Sequence, residues 1–202
     1  MKRPNFVFIV ADDLGFADLG CYGGRVPVSP VLDRMAAEGI RFTHGYANSP
    51  VCSPTRFALM TGRYQYRLRG AAEEPISSRT RSSRTLGLPP EHPTLPSLLK
   101  RAGYVTSLIG KWHLGALPKF GPLKSGYDHF FGFRGGAVDY YSHLDPRQNH
   151  DLWDQDVEVG YWDKNHTSAY NGSAGSFLPV EGTRFTGSFP NLPEPPVPAS
   201  RP

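Results

Sequence analysis

"TLPSLLKRAGYVTSLIGKWHLG", residues 94–115, decides the fold. Its first ten residues read as a helix with Gly103 as its cap. "YVTSLIG" (104–110) reads as a strand, and "GKWHLG" (110–115) opens at its carboxyl end. In open α/β sheets ligands gather just outside that end of the strands. Lys111 and His113 lie two residues apart, so an extended segment would turn both to one side and Trp112 to the other. A fixed cation beside an imidazole is useful where negative charge develops on oxygen. Taken alone, the pair reads better as an ordinary surface lysine and a hydrogen-bonded histidine.

The same alternation extends towards the N-terminus. "NFVFIVA" (5–11) is a continuous apolar, β-branched and aromatic run, as expected of a strand covered on both faces. Asp12 and Asp13 follow it directly. Two adjacent acids repel unless a cation holds them, and oxygen-only ligands suit Ca2+ or Mg2+; a helix cap or a turn is the competing reading. Ser29-Pro30 starts a helix that Gly39 stops, and "IRFTHGYA" (40–47) alternates as a second strand. In "NSPVCSPTRFALMTG" (48–62) a helix is expected from Pro54 to Met60, ending at Gly62. Cys52 stands before it, near backbone N–H donors that favour anions. Arg56 returns to the same face one turn on, with a planar fork that matches tetrahedral oxyanions. A buried, inert cysteine is the alternative. Strands alternating with helices give an α/β class with a largely parallel sheet flanked by helices.

Two segments break the order. Residues 73–93 are polar and basic and read as an exposed loop. Beyond residue 159 the apolar periodicity fades into Gly, Ser and Pro, so 1–159 is expected to form the ordered part and 160–202 an irregular tail. The 202 residues, 39% hydrophobic and 12% aromatic, exclude a wholly disordered chain. A net charge of +4 is mild. "RTRSSR" (79–84) lacks the interleaved aromatics of a nucleic-acid module, and no nucleic-acid partner is expected. No apolar run reaches the roughly 20 residues of a membrane span. The basic then apolar start reads as a strand rather than a leader, so the expected location is cytoplasmic, with Cys21 and Cys52 reduced.

Together, two acids, a Cys-x-Pro-x-Arg and a Lys-x-His at three strand ends resemble the sulfatase family. The resemblance is carried by "PNFVFIVADDLGFADLGCYGG" (4–24), "PVLDRMAAEGIRFTHGYANSPVCSPTRFALMTGRY" (30–64), "LPSLLKRAGYVTSLIGKWHLG" (95–115) and "GYDHFFGF" (126–133). Cys-Ser-Pro-Thr-Arg (52–56) is a full match to the family's modification motif. "VDYYSH" (138–143) leans towards the arylsulfatase B type. The resemblance implies the N-terminal part of an alkaline phosphatase-like fold, incomplete over this length.

It also implies a chemistry. The motif cysteine of the family is oxidised by a separate formylglycine-generating enzyme to Cα-formylglycine, whose hydrate attacks sulfur with one hydroxyl and releases sulfate with the help of the other. Carried over by motif, Asp12, Asp13 and the modified Cys52 are metal ligands for Ca2+, or Mg2+. Cys52, Arg56, Lys111 and His113 are catalytic; Lys111 and Ser142 touch the substrate. That substrate would be a sulfated small molecule or sulfated sugar, and the basic residues Arg79, Arg81 and Arg84 could attract a polyanionic one. The family's second half adds an Asp-Asn pair to the metal, and no Asp-Asn dipeptide occurs in this sequence. A truncated and nearly inactive enzyme is therefore expected. A phosphodiester or phosphonate monoester hydrolase of the same superfamily, or a silent anion-binding fragment, is the alternative.

Overall fold

The computed structural model describes residues 4–68, 76–77, 80 and 83–159. They fall into two units, 1–52 and 53–202. The expectation for 160–202, and the positions of Arg79 and Arg81, lie outside the described residues.

In the first unit, helix α1 spans Pro30–Glu38, with proline at its first position and Gly39 after its last. Proline fits there because its missing N–H would have no intrahelical partner. Ser29, just before it, is buried. Its hydroxyl accepts from the Gly20 N–H at 2.8 Å and donates to Asp33 at 3.1 Å. Asp33 also takes the Cys21 N–H at 2.6 Å. One carboxylate thus ties α1 to the short 3-10 turn Gly20–Tyr22.

The two strands expected in this unit do not form. Residues 5–11 and 40–47 have no ladder partner among the described residues, and their apolar side chains are exposed, Val7 at 87% and Ile40 at 83%. Their composition fits a strand, but a strand exists only through a neighbour's N–H and C=O groups.

In the second unit, α2 spans Cys52–Thr61, starting two residues earlier than expected. Helix α3 spans Leu95–Arg101. Thr94 and Ser97 bond reciprocally across its first turn, and Gly103 takes a left-handed φ of 85° beyond its end. Strand β1 (Ser107–Lys111) pairs in parallel with β2 (His129–Phe133) over five residue pairs. The connection over 112–128 is long enough for a parallel return. Short antiparallel pairings add β3 (Trp153–Asp154) and β4 (Val157–Glu158) in the order β1-β2-β3-β4. The class is therefore mixed α/β: its longest ladder is parallel, and two short antiparallel strands extend it. No helix among the described residues is long and apolar enough to cross a membrane.

The core joins Phe57 and Met60 of α2 to Leu68, Ile76, Leu88, Trp112, Leu114 and Phe130. Ile76 and Leu88 correct the expectation of an exposed loop over 73–93. Arg84 is exposed as expected, but Ile76 and Leu88 of this polar stretch sink into the core. Burying a Leu or Ile stabilises by roughly 1.5–3 kcal/mol, enough to pin a loop whose other residues are solvated.

Candidate functional site

The motif residues are distributed over both units, each described by itself. In the first, Asp12 and Asp13 are exposed, and Asp13 takes a left-handed φ of 56°. Aspartate tolerates that region better than most residues because its short side chain can bond locally. Cys52 is half-buried at the first position of α2. Both cysteines are free thiols.

In the second unit, the rest of the motif is built into α2. Ser53 and Pro54 are buried. The Ser53 hydroxyl accepts the Ile76 N–H at 3.0 Å. Arg56 donates from its guanidinium to the Lys111 carbonyl at 2.8 Å. The motif helix is therefore tied to the end of β1, where the Lys-Trp-His segment begins. Tyr127 lies close by: burial pushes its phenol up to about 12, with the Arg56 charge working against the shift.

The Lys111–His113 segment departs from the simple alternation. Trp112 and His113 are both buried, at 1% and 6% exposure, and Lys111 is partly buried. The strand ends at Lys111, and His113 adopts φ 56°. Trp112 and His113 nevertheless continue alongside β2, their N–H groups bonding Phe133 O at 2.9 Å and Arg134 O at 3.2 Å. A residue in the left-handed region turns its side chain off the pleat, so counting by twos fails at this point. His113 Nε2 lies 2.6 Å from the Ile76 carbonyl.

Ser142 is exposed, and its hydroxyl donates to Asp139 at 2.9 Å. The Ser142 and Tyr141 N–H groups bond the same carboxylate oxygen. These bonds, that from the Ser142 backbone foremost, hold the Asp139 carboxyl below the usual range.

Four residues at this place were not legible in the sequence: Ile76, Arg134, Gly136 and Asp151. Asp151 is fully buried, and its carboxylate takes the N–H groups of Arg134 and Gly135 and the Trp153 indole. It fixes the exit of β2. Arg134, 4% exposed, pairs with Asp156 at 2.8 Å and lies 4.0 Å from the Trp153 ring. A cavity of about 280 Å3 is lined in part by His113, Arg134, Gly135, Gly136 and Asp145. The Gly135-Gly136 pair, one residue beyond an apolar run, was the one available signal, since paired glycines mark a turn or loop.

The donor chemistry of Asp12 and Asp13 fits a hard cation, because carboxylate oxygens are the ligands that Ca2+ and Mg2+ take. Two carboxylates supply at most four of the six to eight oxygens of Ca2+. Among the described residues no three His, Cys, Asp or Glu side chains gather as a metal-holding group.

Residues 4–173 match the sulfatase family model. Mouse steryl-sulfatase is 45% identical over 65% of this chain and 22% of its own length. Human N-acetylgalactosamine-6-sulfatase is 44% identical over 65% of this chain and 26% of its own. The chain thus spans about a quarter of the length of the curated relatives it matches. A solved structure from work on the metabolism of multiple glycosaminoglycans by Bacteroides thetaiotaomicron superposes with a TM-score of 0.65 at 32% identity, over 78% of this chain and 32% of that one. The solved neighbours are sulfatases, whose fold is alkaline phosphatase-like. With the Cys-Ser-Pro-Thr-Arg helix bonded to the Lys-Trp-His segment and the family model matched over most of the sequence, this chain belongs to the sulfatase family.

Proposed function

We propose that the protein is a sulfate ester hydrolase that uses a Cα-formylglycine made from Cys52 by a formylglycine-generating enzyme. The observation that carries the proposal is the bond from Arg56 to the Lys111 carbonyl, which makes the modification motif and the cationic segment one piece of structure. The conversion would supply an aldehyde, whose hydrate carries two hydroxyls on one carbon, and Ca2+ (or Mg2+) held by Asp12, Asp13 and that residue would favour the ionised form of a neighbouring oxygen. Lys111 places its ammonium against a sulfate oxygen, where charge grows as the ester bond breaks. His113 exchanges a proton with a hydroxyl. Arg56 holds the backbone from which Lys111 projects. Ser142, its hydroxyl oriented by Asp139, offers a contact to the substrate. The names of the relatives point to a sulfated sugar or a sulfated small molecule as substrate.

The 202-residue chain by itself should turn over aryl sulfates barely above background, because two aspartates leave Ca2+ short of ligands. Co-expression with the converting enzyme and peptide mass spectrometry test the first step: an aldehyde at position 52, absent in Cys52→Ala, is expected. An unmodified thiol after co-expression would sink the formylglycine proposal. Calcium-dependent hydrolysis of aryl phosphodiesters in preference to aryl sulfates would instead favour the phosphodiesterase alternative.

A further inference from the structure

The His113 ring is held by backbone at two places that no family motif names. Nε2 lies 2.6 Å from the Ile76 carbonyl. A carbonyl oxygen can only accept, so Nε2 carries a hydrogen, and in a neutral imidazole Nδ1 is then the acceptor. The Ile76 peptide is itself anchored, because its N–H donates to the buried Ser53 hydroxyl at 3.0 Å. Ser53 follows Cys52 directly, so a continuous path runs from the motif helix through the backbone of one residue to the imidazole.

Gly136 also lies against the Nε2–Cε1 end of the ring. A Cβ there would stand 2.7 Å from His113 Cε1 and 2.8 Å from Nε2, nearer than side chains approach. Gly136 does not occupy the left-handed region, so its backbone would admit alanine. What excludes a side chain is the ring. The ring has little room to yield, being 6% exposed and carried on a backbone at φ 56° whose N–H bonds Arg134 O. Asp151 secures the neighbouring glycine by accepting the Gly135 N–H at 2.7 Å.

We infer that Ser53, the Ile76 peptide and Gly136 are positioning elements that lock His113 as the Nε2–H tautomer and reserve Nδ1 as its proton acceptor. The use made of that acceptor, taking a hydrogen bond or a proton from a hydroxyl, rests on the proposed sulfatase chemistry; the tautomer does not. The lock gives the imidazole a fixed direction of proton transfer, with the Ile76 carbonyl steadying Nε2–H as Nδ1 becomes protonated.

The test is long-range proton–nitrogen correlation NMR on the 202-residue chain labelled with 15N in its histidine rings. The His113 signals are identified by their loss in His113→Gln. At neutral pH the wild type should show a protonated Nε2 and a bare Nδ1, with no averaging. Ser53→Ala and Gly136→Ala should each shift the pattern towards a tautomer mixture, while Ser53→Thr restores it. A protonated Nδ1, an imidazolium or an averaged pattern in the wild type would overturn the proposal. So would an unchanged pattern in both variants. The signals of the other histidines report whether each variant has folded, and should Gly136→Ala fail to fold, the wild-type spectrum and Ser53→Ala decide the matter. Sulfate release does not enter this measurement, so the lock stands or falls separately from the sulfatase chemistry, which the search for an aldehyde at position 52 tests.

Discussion

His143 is 4% exposed, and neither ring nitrogen meets a hydrogen-bond partner among the described residues. Burial depresses its pKa below the ordinary 6.5, the neighbouring His150 adds to the effect, and Asp139 opposes it. A depressed folded-state pKa means that the unfolded chain binds the proton more readily. Stability is therefore complete above about pH 6.5 and is lost as pH falls through the lower, folded-state value. Urea denaturation at pH 7 and pH 5 should show this loss in the wild type and a smaller one in His143→Leu; equal losses would contradict the assignment. The backbone of His143 gives its N–H to Asp139 O and takes the Asp151 N–H at 3.0 Å, so the same loop seats Asp151. Asp151→Ala would leave three donors, two of them backbone, without their acceptor. At about 1–3 kcal/mol for a buried unsatisfied group, and less for the two part-buried donors, the variant should lose about 2–3 kcal/mol in a denaturation experiment. None of this was legible beforehand: Asp151 looks like any acid in a polar stretch, and its burial depends on where β2 and β3 meet.

Helices were legible because their signals are local. Ser29-Pro30 with Gly39, and the run from Thr94 to Gly103, mark ends that the structure reproduces within two residues. Thr94 caps α3 by accepting from Ser97 N, and its hydroxyl donates to Ser125 O, tying the helix start to a distant turn. Thr94→Ala should cost about 1 kcal/mol and Thr94→Ser a fraction of that, as read by thermal unfolding. Strands were legible only where a partner is present. Residues 104–110 foretold β1 to within a few positions, whereas 5–11 and 40–47 carry equally good patterns without a ladder. The β1–β2 pair also contains a requirement that no pattern shows. Gly132, at φ 149°, faces Gly110 so closely that a Cβ would overlap the Gly110 backbone. Gly132→Ala should cost at least about 2 kcal/mol and broaden the amide signals of both strands. An alanine variant of unchanged stability would mean that the two strands do not pair in this register.

At the scale of the whole chain, apolar exposure is concentrated in the first unit. Phe6, Val7, Phe8, Ile9, Val31, Met35, Ile40 and Phe42 are each more than half exposed. Exposed apolar side chains in this number favour association. Sedimentation should show the 202-residue chain self-associating with concentration, and a Val7→Lys, Ile9→Lys double variant doing so less. A wild-type chain that stays monomeric to high concentration would show that these side chains find cover within one molecule. One more property follows from Arg56 gripping the main-chain oxygen of Lys111 rather than its side chain. Any amino acid at position 111 offers that oxygen, so a library randomised there should keep its expression level across most replacements. The same library at position 56 should be depleted of nearly everything, lysine included. Comparing the two tolerance profiles would separate the mechanical duty of one cation from the chemical duty of the other without a single turnover being measured.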